Sequence, residues 1–287
     1  MPELPEVESM KLQLAKFLVG HKILGVEIRN PKYEIRKDII GGKITGIRRF
    51  GKVSVIDLDN GYSILTHVKL TGQYIYRGPN LPKPYTLSAK VIGGIPGPHT
   101  LVIFKLDHDG VLYYNDVRRF GWIKIVDSGQ VIADRFIDKL GPEPFGKPQG
   151  KPSLLTLDLF KQILSKTSRP IKIVLMDQTK VGGVGNIYAN DALWLAKINP
   201  KRKANSVEGK EAKELYEAIL TVLREGLKYG GASELAFVTP DGKEGKYQNH
   251  TLAYGHEGEL CGRCHKAKFI KYFLGGRGTY VCPNCQK

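Results

Sequence analysis

All four cysteines of this 287-residue chain fall in its last 27 residues, as Cys261-x2-Cys264 and Cys282-x2-Cys285 with 17 residues between the inner pair. A disulfide framework would spread its cysteines through the chain, whereas two CxxC knuckles on facing hairpin turns set four thiolates tetrahedrally around one Zn²⁺. All four sulfurs are then ligands and no position remains for a catalytic water. The spacing therefore predicts one structural zinc held by Cys261, Cys264, Cys282 and Cys285. Between the knuckles lie Lys266, Lys268, Lys271 and Arg277, and Gly275, Gly276 and Gly278 around Arg277 predict a tight hairpin with a cation at its tip. A basic tip on a zinc-braced hairpin suits a DNA groove or a phosphate.

The charge balance points the same way. Lysine and arginine number 44 against 28 acidic residues, a formal net charge of +16. So large an excess implies a polyanionic partner, nucleic acid before an anionic membrane surface. A hydrophobic content of 41% with 25% charged residues excludes a disordered chain. No apolar run approaches the ~18 residues of a membrane span. The start, Met-Pro-Glu-Leu-Pro-Glu, lacks the basic end and apolar core of a signal peptide. The expectation is an intracellular protein with no membrane partner.

Hydrophobic periodicity divides the chain. Pro5 suits a first helical turn, Glu6 and Glu8 favour the positive end of a helix dipole, and Val7, Met10, Leu14 and Phe17 or Leu18 form one buried helical face. Strand-like runs follow, with hairpins predicted at Asp59-Asn60-Gly61 and around Asp109-Gly110 and a further strand through Trp122–Val126. Roughly residues 20–130 thus read as an antiparallel sandwich. Residues 141–152 hold four prolines and read as linker. Helical faces come next, at Leu157, Phe160, Ile163 and Leu164 and at Ala212, Leu215, Ile219, Val222 and Leu227, with a glycine-rich turn at 182–185 between them. The fold class is α+β. The expected division is a β-sandwich domain over 1–135, a linker over 136–150, a helical domain over 151–250 and a zinc finger over 251–287.

Pro2 carries a chemical possibility. Removal of Met1 would leave a prolyl α-amine, which titrates near pH 8, about two units below lysine, and is more often unprotonated at neutral pH. Such an amine attacks a sugar C1′, and being secondary it yields an iminium that is necessarily cationic and a good electron sink. Glu3 and Glu6 stand beside it for proton transfer. By itself, a Pro-Glu start is far more often only a helix start.

The ordered pieces PELPEVE at 2–8, RRFGK at 48–52, HVKLTG at 67–72, NDVRRFG at 115–121, LGPEPF at 140–145, VGGVGNIYA at 181–189, the glycine pair at 230–231 and the four-cysteine tail together resemble the formamidopyrimidine-DNA glycosylase family, bacterial repair enzymes that excise oxidised purines. The resemblance runs nearly the length of the chain. It implies an N-terminal β-sandwich carrying the catalytic helix, then a helix-two-turn-helix domain ending in a zinc finger.

Residue by residue, the resemblance implies that Pro2 is the nucleophile that displaces the damaged base, forms a Schiff base at C1′ and permits β- and then δ-elimination. Glu3 matches the acid that protonates the sugar ring oxygen, and Glu6 a supporting carboxylate. Lys52 matches a lysine near the lesion phosphate, and His67, Asn186 and Arg277 match other phosphate-holding groups, with Lys52 and Arg277 counted among the catalytic set. Chemistry on a duplex base requires its extrusion, and firm phosphate contacts beside the lesion hold it out. Leu70, Arg118 and Phe120 match the three side chains that fill the vacated stack, Phe120 as a wedge and Arg118 on the orphaned base. Leu70 stands where relatives usually carry Met, and Val117 where they often carry Pro. The stretch 232–247 matches the loop that covers the extruded base, and its glycine-rich polar composition suits a mobile lid.

The expected function is a monomeric bacterial DNA glycosylase/AP lyase of the cytoplasm and nucleoid, acting on double-stranded DNA with oxidised purines or abasic sites, with one structural Zn²⁺. The alternatives are an enzyme similar to endonuclease VIII, for oxidised pyrimidines, a non-catalytic damage-binding protein, and a generic zinc-ribbon nucleic-acid binder. PELPE rather than PEGPE at the start favours the purine type, and retention of Pro2, Glu3 and the four cysteines disfavours the second. The third explains the tail and the charge but not residues 1–130.

Overall fold

A computed structural model of the chain describes residues 1–81, 83–146 and 153–287. Positions 147–152 of the predicted linker lie outside the described residues. The chain forms two compact units, Met1–Ile137 with Gly226–Gln248, and Asp138–Glu225 with Asn249–Lys287.

The first unit begins with helix α1 (Leu4–Leu18), which buries Val7, Met10, Leu14, Phe17 and Leu18, the stripe expected from their spacing. Eight strands follow: β1 (Ile23–Ile28), β2 (Ile44–Phe50), β3 (Val53–Leu58), β4 (Tyr62–His67), β5 (Gly72–Arg77), β6 (Thr100–Leu106), β7 (Val111–Asp116) and β8 (Trp122–Asp127). They pair antiparallel in two four-stranded sheets, ordered β1-β6-β7-β5 and β2-β3-β4-β8. One core joins Ile47, Ile56 and Ile64 of one sheet to Tyr74, Phe104, Leu112 and Tyr114 of the other and to the buried face of α1. That shared core makes the unit a sandwich. Both predicted hairpins form, at Asp59–Gly61 between β3 and β4 and at Asp107–Gly110 between β6 and β7.

A capping box starts α1: Glu6 Oε2 accepts from the Glu3 backbone N–H at 2.6 Å. The other oxygen of the same carboxylate, Oε1, accepts from Ala232 N–H at 2.7 Å. Gly230 and Gly231 make this approach possible, with φ of +74° and +87°. A Cβ on Gly231 would lie 2.8 Å from Glu6 Cγ and 3.1 Å from Glu6 Cα. The segment 226–248 is thereby fastened to the helix that opens the chain, more than two hundred residues away in sequence.

Beyond the glycine pair the segment is anchored to the sandwich and departs from the expectation of a mobile lid. Ser233, fully buried, donates to Phe237 O at 2.6 Å and accepts from Gly245 N–H at 2.9 Å. Gln73 of β5 donates to Ala236 O, Tyr76 N–H to Pro240 O at 2.7 Å, and Ser88 N–H to Gly242 O at 2.9 Å. Phe237 enters the main core and Val238 packs with Ile75 and Val91. The tip stays out: Leu235 is 61% exposed. Composition alone suggests flexibility, but its apolar residues supply an anchor.

After the one-turn helix α2 (Arg135–Asp138), the second unit holds α3 (Leu157–Ser165), α4 (Ile171–Met176), α5 (Asn186–Leu195), most of α6 (Gly209–Lys228) and a hairpin of β9 (Ile270–Leu274) and β10 (Arg277–Val281). Thr156 caps α3, its Oγ1 accepting from Leu159 N–H at 3.2 Å. Phe160 and Leu164 are buried, and on α6 so are Ala212, Leu215, Ile219 and Val222. The cysteine-bearing tail belongs to this same unit. Trp194 of α5 packs in one cluster with Cys261, Phe269 and Cys282, and Arg263 donates to Trp194 O at 2.8 Å while lying 4.1 Å from its ring.

The Glu6–Ala232 contact makes a stability prediction. Gly231→Ala combines a left-handed backbone with a clash against helix backbone and should cost about 2–4 kcal/mol. Gly230→Ala, which meets only Gly245 Cα at 3.7 Å, should cost about 1 kcal/mol. Urea unfolding of both variants checks the ranking, and equal losses would reject the steric account.

Candidate active site

In the first unit, Pro2 and Glu3 lie at the start of α1 and both are buried. Glu3 is the N-cap residue, with Glu6 one turn on holding its backbone N–H. Two carboxylates and the Pro2 nitrogen are therefore concentrated at the positive end of a helix dipole, where negative charge is favoured. Met1, 41% exposed, precedes them.

Lys52 sits in the β2–β3 turn with 5% exposure. Its turn is tied to α1, because Arg49 Nε donates to Glu8 Oε2 at 2.7 Å and Arg49 Nη1 donates to Gly51 O at 3.0 Å. Glu8 also accepts from Lys11 at 2.6 Å. Burial raises the Glu8 pKa, but these two cations outweigh it and hold the carboxyl below its usual value.

His67, at the end of β4, is 8% exposed and packs against Trp122 with ring centroids 5.9 Å apart. Burial, reinforced by the charges of Lys69 and Lys52, pushes its pKa down to about 3. Its Nδ1 accepts from Lys69 N–H at 3.1 Å, which fixes the neutral tautomer and leaves Nε2–H as a donor. His67 is thus a neutral hydrogen-bond donor in a cationic neighbourhood.

Leu70 lies in the β4–β5 turn, half-buried, and Arg118 and Phe120 lie exposed in the β7–β8 turn. The Arg118 guanidinium stands 4.7 Å from the Phe120 ring. Asp116, fully buried, joins the two turns: Oδ1 accepts from Thr71 Oγ1 and Oδ2 from Gly121 N–H at 2.7 Å. Thr71 Oγ1 in turn accepts from Arg118 N–H at 3.0 Å. One carboxylate therefore presents all three side chains on neighbouring turns.

Asn186 and Arg277 fall in the second unit. Asn186 opens α5 after the glycine turn, which Gln178 shapes by donating to Val184 O at 2.7 Å and accepting from Gly183 N–H at 3.0 Å. Arg277 is exposed at the first position of β10, next to the Gly275-Gly276 turn, whose φ values are +57° and +70°. A Cβ on Gly275 would come within 2.4 Å of Ile173 Cδ1, so the tip sits flush on α4. Asn190 couples the two sites. It donates to Asn186 O at 2.6 Å and to Gly278 O at 3.4 Å, and accepts from Tyr280 N–H at 2.9 Å. Lys172, fully buried, donates to Gly278 O and Thr279 Oγ1, both at 2.8 Å.

The four cysteines are free thiols whose sulfurs lie within 4.8 Å of one another. Cys261 and Cys285 sulfurs are 3.9 Å apart and those of Cys264 and Cys282 are 3.7 Å apart. Zn–S bonds of ~2.3 Å in a tetrahedron set sulfurs about 3.8 Å apart, whereas a disulfide needs about 2.05 Å. Backbone N–H groups of Lys266 and Ala267 bring the Cys264 thiol down to about 6, whereas burial and the neighbouring sulfurs push that of Cys285 up to about 12, so the spacing rather than the thiol acidity marks the cluster. The cluster has the dimensions to hold a metal ion.

Sequence reasoning missed Asp116, Gln178, Asn190 and Lys172. Asp116 lies inside a quoted motif, but nothing marks its carboxylate as a brace. Gln178 and Asn190 are polar residues whose partners only folding defines.

Residues 1–123 match the formamidopyrimidine-DNA glycosylase N-terminal domain, and residues 140–237 match the formamidopyrimidine-DNA glycosylase H2TH domain. The chain belongs to the formamidopyrimidine-DNA glycosylase family. It is 37% identical to the formamidopyrimidine-DNA glycosylase of Pelotomaculum thermopropionicum, covering 100% of this chain and 99% of that protein. It is 33% identical to that of Lactococcus lactis subsp. cremoris, covering 100% of both. Among solved structures, the complex of Lactococcus lactis Fpg with abasic-site DNA is similar at a TM-score of 0.85, with 33% identity over 99% of each chain. The wild-type enzyme of that species with N7-benzyl-Fapy-dG DNA is similar at 0.85, with 33% identity over 100% of each chain. The glycosylase family's β-sandwich and four-cysteine tail both stand in this fold.

The neutral His67 predicts an acid sensitivity. Its folded pKa lies far below the ~6.5 of an unfolded histidine, so below that pH the unfolded chain takes up the proton first and stability falls. This one group should contribute about 2 kcal/mol of loss between pH 7 and pH 5. Urea unfolding of wild type and His67→Gln at both pH values checks it. The variant should lose less on acidification, and identical losses would reject a buried neutral imidazole.

Proposed function

We propose that the chain is a bifunctional DNA glycosylase/AP lyase of base excision repair that removes oxidised purines, 8-oxoguanine and formamidopyrimidines, from double-stranded DNA. The observation that carries the reading is the buried Pro2-Glu3 start of α1, held by the Glu6 capping box, in a chain that matches this family over its whole length. The DNA held by the similar structures supports damaged duplex as the partner. Its binding of damaged duplex would place it on the bacterial nucleoid, and no helix among the described residues is long and apolar enough to cross a membrane. The protein acts as a monomer, with the unit of Met1–Ile137 and Gly226–Gln248 supplying the chemistry and the unit of Asp138–Glu225 and Asn249–Lys287 the grip on DNA.

Removal of Met1 frees the Pro2 amine. Its lone pair forms a bond to C1′ as the glycosidic bond breaks with its electrons going to the base; the resulting ammonium nitrogen sheds its proton, which the departing base takes up. The nitrogen pair then forms the C1′ iminium while the C1′–O4′ bond opens, and Glu3 gives O4′ its proton. The iminium acidifies C2′, whose proton loss expels the 3′ phosphate, and the δ-step expels the 5′ phosphate. Glu6 fixes the helix start that carries both reacting groups. Lys52, His67, Asn186 and Arg277 hold phosphates around the lesion, His67 and Asn186 through neutral N–H groups and Lys52 and Arg277 as cations. Leu70, Arg118 and Phe120 fill the stack. The four cysteines hold one structural Zn²⁺, which supplies a crosslink that fixes the β9–β10 hairpin and Arg277.

Borohydride trapping on an 8-oxoguanine:cytosine duplex tests the reading, after mass spectrometry has established that Met1 is absent. A covalent adduct is expected that chemical blocking of the Pro2 nitrogen abolishes, and a stronger adduct on dihydrothymine DNA would move the protein to the pyrimidine class. Glu3→Gln should bind the duplex normally but excise at least about 100-fold more slowly. Unchanged excision would remove Glu3 from the mechanism. Phosphate contacts should also make affinity fall by about 10- to 100-fold between about 50 and about 200 mM salt, measured by fluorescence anisotropy.

A further inference from the structure

Outside the proposed DNA-binding machinery, one cluster in the first unit brings together ligand atoms without a structural need for all of them. His21 follows α1 and precedes β1, and Asp107 and His108 open the β6–β7 turn. His21 Nδ1 lies 2.7 Å from Asp107 Oδ1 and 3.2 Å from the Asp107 backbone oxygen. His108 Nδ1 lies 3.3 Å from the same Oδ1. The three ligand atoms fall within 4.8 Å of one another.

We propose that His21, Asp107 and His108 form a second metal site, distinct from the four-cysteine cluster, for a borderline divalent transition ion such as Zn²⁺ or Ni²⁺. Two imidazoles and one carboxylate match that class, whereas Mg²⁺ and Ca²⁺ demand oxygen-rich sites. Ligand atoms bound at ~2.0–2.1 Å stand about 2.9–3.4 Å apart in octahedral or tetrahedral sites, close to the spacings around Asp107 Oδ1. The site is also built as metal sites are. The inner ligand, His21, is 5% exposed, and its second ring nitrogen lies 3.4 Å from Tyr76 Oη, which fixes the ring. His108, by contrast, has a side chain 75% exposed. An ion pair of His21 with Asp107 accounts for two of the residues but gives His108 no role. His108 has φ of +52° and Asp109 +56°, left-handed positions usually given to Asn or Gly in a hairpin turn. That backbone turns the His108 ring over Asp107, with its centroid 5.8 Å from that of His21. Three protein ligands leave positions for water, so the ion is exchangeable and bound more weakly than one held by four thiolates. Bound there, it ties the α1–β1 junction to the β6–β7 turn at one end of the β1-β6-β7-β5 sheet.

The test uses tag-free, full-length protein carrying zinc in its cysteine cluster. Equilibrium dialysis against micromolar Zn²⁺, with metal counted by mass spectrometry, should give two zinc ions per chain for wild type. Asp107→Asn and His108→Asn should each give one, and asparagine suits the left-handed backbone at 108, so the fold is spared. Added zinc should raise the melting temperature of wild type and leave that of His108→Asn unchanged. A wild-type count of one, or a second ion retained in His108→Asn, would overturn the site. Neither readout depends on glycosylase activity.

Discussion

The Glu6 carboxylate is the joint on which the first unit depends. One oxygen closes the capping box on Glu3 and the other accepts from Ala232, next to Gly231, where a Cβ would run into Glu6 itself. A buried carboxylate is costly unless its lone pairs are satisfied, and here backbone N–H groups of residues 3 and 232 satisfy them. The same atoms therefore place the start of α1 and return the 226–248 segment to the sandwich. The nucleophile proposed at Pro2 would sample many positions on a frayed terminus, and the cap holds it in one.

Around that start, charge is arranged by burial rather than by number. Lys52 is a buried cation, while His67 beside it is kept neutral by burial and by its lysine neighbours. A neutral imidazole would offer the proposed phosphate a directional hydrogen bond without adding another buried charge to be desolvated. Asp116 works on the opposite principle, a fully buried carboxylate saturated by Thr71 and Gly121 that presents Arg118 and Phe120 toward solvent. In the second unit Asn190 plays the corresponding part, fixing Asn186 and the Arg277 hairpin to one side chain. Arg118 and Phe120 in the first unit, and Asn186 and Arg277 in the second, thus rest on buried polar braces.

Much of this was legible in the sequence because it follows from local rules. The α1 stripe follows from helical spacing, the Asp59–Gly61 hairpin from turn chemistry, and the cysteine cluster from ligand spacing. The 232–247 segment was not. Its glycines and charges suggest mobility, yet Phe237 and Val238 pack against, and Ala236 and Pro240 accept hydrogen bonds from, residues more than a hundred positions earlier. Composition reports what a segment could do alone, whereas anchoring depends on the sheet it meets. Asp116, Gln178 and Asn190 escaped notice for the same reason: a polar side chain becomes a brace only when the fold brings its partners within hydrogen-bond reach.

By itself the sequence determined the element types, the four-sulfur cluster, the cationic character and the family, because periodicity, ligand spacing, charge and ordered motifs are written along the chain. Only the tertiary structure decided that residues 226–248 belong with the first unit, that His67 is neutral, and that His21 meets Asp107 and His108. Each of these depends on burial or on contacts between residues distant in sequence, and neither desolvation nor a long-range hydrogen bond exists until the chain has folded.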